Sequence, residues 1–297
     1  MRIAITGSSG FVGTAATADL GAAGHDVVRL VRSAATTPDT AHWDPATGAL
    51  EAGSFGAVDA VVHLAGENVA GGRWTAARKH AIAESRGPAT ARLCRALAAL
   101  PRRPRVLIAA SAIGIHGDRG DEELDERSAP GTGFLAEVAR AWESGTADAS
   151  EAGIRVVNLR IGMVLDPRGG ALRRMLPPFR LGLGGRLGDG RQWVGWITLA
   201  DLLVAMRFVL ERDDLAGPVL AVAPEPVTNR AFTAALAHAL HRPAFLPVPA
   251  FALRLAFGEM ADALLLASQR VRPRRLLDAG FRFAEPDLDA ALRSMLR

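Results

Sequence analysis

The run Thr6-Gly7-Ser8-Ser9-Gly10-Phe11-Val12-Gly13 follows directly on the strand-like residues Arg2-Ile3-Ala4-Ile5. Glycines at 7, 10 and 13 let a backbone turn sharply and come close to a pyrophosphate. The alanine-rich helix expected over 11–23 then points its N-terminal N–H groups and positive dipole end at that anion. A second apolar strand begins at Val27. Strand, glycine loop, helix and strand in this order form the first βαβ unit of a dinucleotide-binding fold. Gly7, Ser9, Gly10, Phe11, Val12 and Gly13 are therefore the first candidate cofactor contacts.

Short apolar strands alternate with helical stretches over the first 165 residues, which predicts an α/β protein with a Rossmann-like, doubly wound parallel sheet. The strands are expected at 2–6, 27–31, 58–64, 105–111 and 155–161, with helices over 11–23, 75–99 and 133–152. After Pro167 the chain turns glycine-rich, and residues 168–195 read as a loop-rich, ligand-facing segment. A strand end at Trp196 and a helix opening near Asp201 follow. Later helices are expected from Thr228-Asn229 to Leu240 and over 248–257, 259–269 and 286–296. This divides the chain into a nucleotide-binding domain (1–167 and 196–222) and a smaller, mainly helical C-terminal lobe (168–195 and 223–297).

The single cysteine, Cys94, excludes an intramolecular disulfide and a cysteine-rich zinc site, and suits a reducing compartment. No secretory segment precedes the first strand, and no apolar run is long enough to cross a bilayer, so a soluble cytoplasmic protein is expected. The net charge of +4 is carried by arginine, since Lys79 is the only lysine. The arginines are scattered, apart from Arg270, Arg272, Arg274 and Arg275, which argues against a nucleic-acid partner. The acidic residues between Asp118 and Glu126 lack ligand-type spacing. They read as a solvated loop that pairs with arginines of the lobe, and no metal site is expected. The expected partner is a small-molecule substrate, with no membrane, and association into a homodimer is left open.

The end of the second strand selects the nucleotide. An acidic residue there would bind a ribose 2′-hydroxyl, but Val31 is followed by Arg32, which suits a 2′-phosphate. NADP(H) is therefore expected over NAD(H). Leu64, Ala65 and Gly66 end the next strand with little bulk, as an approaching adenine or ribose requires, and Glu67 and Asn68 open a loop on the same edge. His63, inside an apolar strand, reads as a hydrogen-bonded core residue.

HLAGEN (63–68) and Ser111 at the end of the strand Val106 to Ala110, with the glycine spacing, resemble the short-chain dehydrogenase/reductase superfamily. The nearer resemblance is to its extended, NAD-dependent epimerase type. RWTAARKHAIAESR (73–86), SAIGIHGDRGDEEL (111–124), LRIGMVLDPRGGAL (159–172), LPPFRLGLGGRLGDGRQWVGWI (176–197), APEPVTNRAFT (223–233) and SQRV (268–271) resemble one subgroup, epimerase-like oxidoreductases of uncertain substrate. The resemblance implies that Arg86 and Val164 touch the cofactor and that the C-terminal lobe shapes the substrate pocket.

The chain departs from that superfamily at its chemistry. Hydride transfer at carbon must be matched by proton transfer at oxygen, usually by a tyrosine with a lysine four residues on. This chain has no tyrosine. The pair would fall in Phe134-Leu135-Ala136-Glu137-Val138, and neither residue type is there. Ser111 remains to hold a substrate oxygen. His116, on the loop after the central strand, is the candidate acid–base group, with a loop residue bonded to nearby backbone as the alternative. Glu67 and Lys79 are further candidates that also read as a bracing carboxylate and a solvated helix face. Arg186, Arg191 and Gln192 are placed to grip an anionic or sugar-like substrate. Two functions fit: an NADP(H)-dependent oxidoreductase or epimerase acting without the tyrosine, or a non-catalytic NADP(H)-binding sensor.

Overall fold

The computed structural model describes residues 1–34, 37–51 and 55–297. Along the described chain the strands are β1 (Arg2–Thr6), β2 (Asp26–Val31), β3 (Thr40–His42), β4 (Ala60–His63), β5 (Val106–Ala112), β6 (Glu123–Leu124), β7 (Arg155–Ile161), β8 (Met163–Asp166), β9 (Trp193–Val194), β10 (Trp196–Thr198), β11 (Gly217–Ala221), β12 (Val227–Thr228) and β13 (Arg270–Val271). The helices are α1 (Phe11–Ala22), α2 (Ala76–Glu84), α3 (Gly87–Ala98), α4 (Phe134–Ser144), α5 (Ala147–Glu151), α6 (Gly170–Arg180), α7 (Leu199–Glu211), α8 (Asn229–Leu240), α9 (Ala250–Phe257), α10 (Arg274–Asp278) and α11 (Leu288–Met295).

Seven strands make one parallel sheet in the order β11-β7-β5-β4-β1-β2-β3. The fold is the Rossmann-like α/β arrangement. Strand alternation supplies two buried faces. Ile3, Ile5, Val62 and Ile108 pack with Leu20 of α1 and Leu202, Met206 and Val209 of α7. Ala4, Val61, Leu107 and Ala109 pack on the other face with Leu93, Cys94 and Leu97 of α3. Leu276 of α10 and Phe281, from the segment assigned to the lobe, join the first of these cores. A third core brings together Leu172, Leu176 and Phe179 of α6, Phe232 and Leu236 of α8, and Leu288 and Leu292 of α11. Among the described residues no helix is long and apolar enough to cross a membrane.

The helices expected over 75–99 and 133–152 are each broken in two. Pro88 starts α3, because a proline fits the first turn of a helix but not its interior. The second break has a packing cause. A side chain on Gly145 would lie 2.8 Å from the Gly87 carbonyl oxygen, and one on Gly87 would lie 3.0 Å from Ala141 Cβ, so the two junctions press together. The segment 168–195 is not all loop, since α6 occupies eleven of its residues despite containing Pro177 and Pro178. Each interior proline costs about 3 kcal/mol. Burial of Leu172, Leu176 and Phe179 returns roughly 1.5–3 kcal/mol apiece, with the half-buried Met175 beside them. The stretch expected as a helix over 259–269 is helical over 259–266, with π geometry from Ala261 to Leu266.

Candidate cofactor and active site

The chain runs from β1 outward to β2 and β3, then returns to place β4 on the other side of β1. The carboxyl edge between β1 and β4 is thus the switch point, where open α/β sheets bind ligands. The glycine loop lies there. Gly7 has φ +68°, and a side chain on it would meet Ala65 N at 2.8 Å. A side chain on Gly13 would lie 2.0 Å from the Gly7 carbonyl oxygen, which already accepts the Gly10 N–H at 2.9 Å. Gly10 is the N-cap of α1 and no side chain caps that helix, so its first N–H groups face the loop unclaimed by a cap. Backbone bare of side chains at a helix N-terminus fits a pyrophosphate. Phe11 reaches across to α6, where a side chain on Gly169 would strike its ring at 2.2 Å.

His63 is fully buried between Thr6 Oγ1 (2.7 Å) and Thr90 Oγ1 (2.9 Å), and Thr6 Oγ1 also accepts the N–H groups of Leu64 and Ala65. The histidine therefore ties the end of β4 to β1 and α3, as a core residue. Gly66 leaves space that Arg86 fills, its guanidinium carbon 3.4 Å from where a Cβ would stand. Arg86 also lies over the Trp142 ring at 4.8 Å and donates to the Ile82 carbonyl. Burial lowers its pKa to about 10, opposed by the neighbouring Glu67 carboxylate. Arg32, at the end of β2, is exposed and pairs with none of the described residues. Val164 is half-buried in β8, against the core under α1.

Ser111 ends β5 almost fully buried, and its hydroxyl donates to Glu143 Oε1 of α4 at 2.7 Å. Glu143 is gripped by Arg160 of β7, through Nε at 2.8 Å and Nη2 at 2.9 Å. The register of the sheet sets Ser111 opposite Arg160. His116 closes a short 3-10 turn after β5 with no exposure, and neither ring nitrogen has a hydrogen-bond partner among the described residues. Burial, with help from the Arg160 charge, lowers its pKa to about 4, so the imidazole is neutral.

Phe134 opens α4 at the position where the tyrosine would fall. Its ring meets Trp74 edge-on at 5.0 Å between centroids, and Lys79 Nζ of α2 stands 4.6 Å from its centroid. Lys79 is not on a free solvated face, because its ammonium also bonds both carboxylate oxygens of Glu259, at 2.8 and 2.9 Å. Glu67 is braced as expected of a loop carboxylate, with Arg78 at 3.2 Å.

Arg186 and Arg191 are exposed, and Arg186 with Arg230 and Phe245 lines a cavity of about 300 Å³ beside α8. Gln192 is buried, its amide donating to the carbonyls of Leu187 and Leu265, which commits it to holding the segment together. The acidic loop pairs as anticipated. Glu123 meets Arg270 and Arg272, Asp125 meets Arg274, and Asp121 accepts from Trp193 Nε1. No metal-binding group of His, Cys, Asp or Glu occurs among the described residues.

With this geometry, comparison with known proteins is decisive. The profile of the NAD-dependent epimerase/dehydratase family matches residues 3–223, and that of a domain of unknown function (DUF1731) matches 248–295. The chain belongs to the NAD-dependent epimerase/dehydratase family. It is 45% identical over 290 residues to an epimerase family protein of Mycobacterium bovis, covering 98% of this chain and 96% of that one. It is similar to the crystal structure of the human epimerase family protein SDR39U1 with NADPH, with TM-score 0.91, 34% identity, and coverage of 100% and 99% of the two chains. It also matches a nucleoside-diphosphate sugar epimerase of Corynebacterium glutamicum, with TM-score 0.81 and 38% identity, spanning 58% of that chain.

Within this epimerase family frame, sequence reasoning missed Glu143, Arg160 and Glu259. An arginine at the penultimate, buried position of the largely apolar strand RVVNLRI was the readable signal for Arg160, since a charge at a sheet core position demands a partner. Glu259 carried no signal, because its contact with Lys79 spans 180 residues.

The two buried histidines make stability pH-dependent. His63 and His116 both fall to about 4 from an ordinary 6.5 because burial disfavours the charged ring. Their contribution is fully present above pH 6.5 and is lost as pH falls from there through 4. A shift of that size is worth about 3 kcal/mol per group. Denaturant midpoints measured across that window should fall steeply. His116→Leu should hold stability at pH 7, as it removes two orphaned nitrogens, and should flatten the acid limb; an unchanged limb would discount His116.

Proposed function

We propose that this chain is an NADP(H)-dependent oxidoreductase or epimerase of the extended short-chain type that acts on a small polar substrate without the usual tyrosine–lysine pair. The observation that carries it is Arg32, an exposed guanidinium at the end of β2 with no partner among the described residues, beside a glycine cradle that side chains would fill. A planar fork there matches the 2′-phosphate that distinguishes NADP from NAD. The NADPH in the human SDR39U1 structure supports the same choice. When bound, the nicotinamide supplies or accepts a hydride. The chain's own residues bind and orient. Gly7, Ser9, Gly10, Phe11, Val12 and Gly13 receive the pyrophosphate, Leu64, Ala65 and Gly66 leave room for the adenosine half, and Arg86 and Val164 flank the far half. Ser111, its proton committed to Glu143, offers lone pairs to a substrate hydroxyl. Arg186 and Arg191 supply exposed forks for an anionic group. Cys94 is a buried thiol pushed up to about 12 by burial, an inert core residue that suits a reducing, cytoplasmic setting.

A second reading, an NADP(H)-binding sensor without turnover, is favoured by the missing tyrosine and by the complete burial of His116. Turnover separates the two: NADPH consumption with any member of a carbonyl and quinone panel supports the enzyme, and none favours the sensor.

The cofactor assignment has its own test. NADPH should raise the melting temperature more than NADH, since ligand at a hundred times its Kd adds about 2.7 kcal/mol. Arg32→Ala should remove that difference by losing a charge-assisted contact of about 1.5–3 kcal/mol, roughly tenfold to a hundredfold in affinity. Equal shifts in the unaltered protein would sink the NADP(H) preference.

A further inference from the structure

Proton transfer at the substrate oxygen lacks an owner. His116 is fully buried and neutral, the Ser111 hydroxyl already donates a hydrogen bond to Glu143, and no tyrosine exists in the chain. One group stands where the tyrosine is missing. Lys79 Nζ lies over the ring of Phe134, the residue at the tyrosine's expected place. It is held there by Glu259, which comes from a distant part of the sequence.

Three observations separate this lysine from an ordinary surface cation. It is the only lysine in a chain that uses arginine at every other basic position. Arginine cannot act as a proton donor because its guanidinium is never deprotonated in proteins, whereas lysine is among the side chains that serve general acid–base chemistry, so the exception falls where the chemistry needs it. Its partner accepts in bidentate fashion, although the side chains remain 32% and 50% exposed and such a pair adds only about 0.2–1 kcal/mol of stability. Stability alone therefore gives little reason for the arrangement. Last, α2 ends at Glu84, and Arg86, two residues on at the N-cap of α3, places its guanidinium beside Gly66, so the helix that carries the amine runs up to the cofactor edge.

We propose that Lys79 is the proton donor of this active site, with Glu259 as the residue that positions its ammonium. The inference rests on the NADP(H) oxidoreductase reading above. In carbonyl reduction, the substrate carbon receives the hydride of the reduced nicotinamide. The carbonyl π pair moves to oxygen, and that oxygen takes a proton from Lys79 Nζ. The products are an alcohol, the oxidised nicotinamide and a neutral amine, which recovers its proton from water. In the oxidative direction the neutral amine accepts the hydroxyl proton.

A single lysine makes this directly testable. Reductive ¹³C-methylation labels one side-chain amine beside the Met1 α-amine, giving a resolved NMR reporter of Lys79. NADP⁺ should shift the Lys79 signal, whereas 2′,5′-ADP, which lacks the nicotinamide half, should leave it in place. Glu259→Gln should move the signal in the free protein, reporting loss of the ion pair; if it does not, Glu259 is not the positioning residue. A Lys79 signal unmoved by NADP⁺, in protein whose melting temperature NADP⁺ raises, would overturn the proposal. So would equal movement with both ligands. If NADP⁺ fails to raise the melting temperature at all, the NADP(H) reading itself fails, and the donor role falls with it.

Discussion

Replacing Gly13 by alanine is expected to eliminate NADPH-induced stabilisation and to lower the melting temperature of the free protein by several degrees. The added methyl would lie 2.0 Å from the Gly7 carbonyl oxygen, a backbone atom that cannot swing aside. That oxygen is fixed by the Gly10 N–H, and Gly7 is itself pressed against Leu64 and Ala65 at φ +68°. Overpacking of side chains costs about 1–3 kcal/mol, and a clash with backbone belongs at or above the top of that range. The relief available is to open the loop, which removes the cradle. Gly21 in the same helix is the control, because a side chain there meets nothing within 4 Å. Gly21→Ala should add about 0.5–1 kcal/mol of stability by helix propensity and leave NADPH binding untouched. Gly13→Ala protein that still gains its full thermal shift from NADPH would show that the cofactor does not use this loop.

Glu143→Ala is expected to be the most destabilising single side-chain deletion near the site. Glu143 and Arg160 have side chains only 15% and 7% exposed, so removal of one leaves the other charged, desolvated and unpaired. The cost of breaking such a pair from one side is about 3–5 kcal/mol. Ser111 loses its acceptor in the same change. The double variant Glu143→Leu/Arg160→Met should recover much of the loss, because the penalty comes from the orphaned charge. Denaturant unfolding of the two variants decides this; a cost below 1 kcal/mol for Glu143→Ala would mean that water reaches the pair.

The sheet was legible because its strands carry continuous apolar runs and its first turn demands glycine at three positions, both local properties. The same holds for His63, whose setting inside an apolar strand announced a core histidine, and for the acidic loop, whose charge complement lay in the arginines of 270–275. Helix interruptions were less legible. The break at Gly145 depends on the approach of Gly87 from another helix, and nothing in either sequence window shows that approach. In α6 the opposite error arose, since the glycines on either side of it marked the segment as loop while the spacing of Leu172, Leu176 and Phe179 specified a buried helical face. The catalytic candidates divided on the same principle. Ser111 and Arg32 follow from strand ends. The burial of His116, the commitment of Gln192 to two carbonyls and the Lys79–Glu259 contact depend on chain segments that meet only in the folded protein.

Leu276 and Phe281 belong to the core between the sheet and α1 and α7. The family profile of residues 3–223 therefore does not delimit a body that can be cut out intact, because two of its core side chains are contributed from beyond its end. Removing the segment from residue 276 onward would open a seam in that core, where Phe281 otherwise meets the Phe208 ring edge-on at 5.3 Å between centroids.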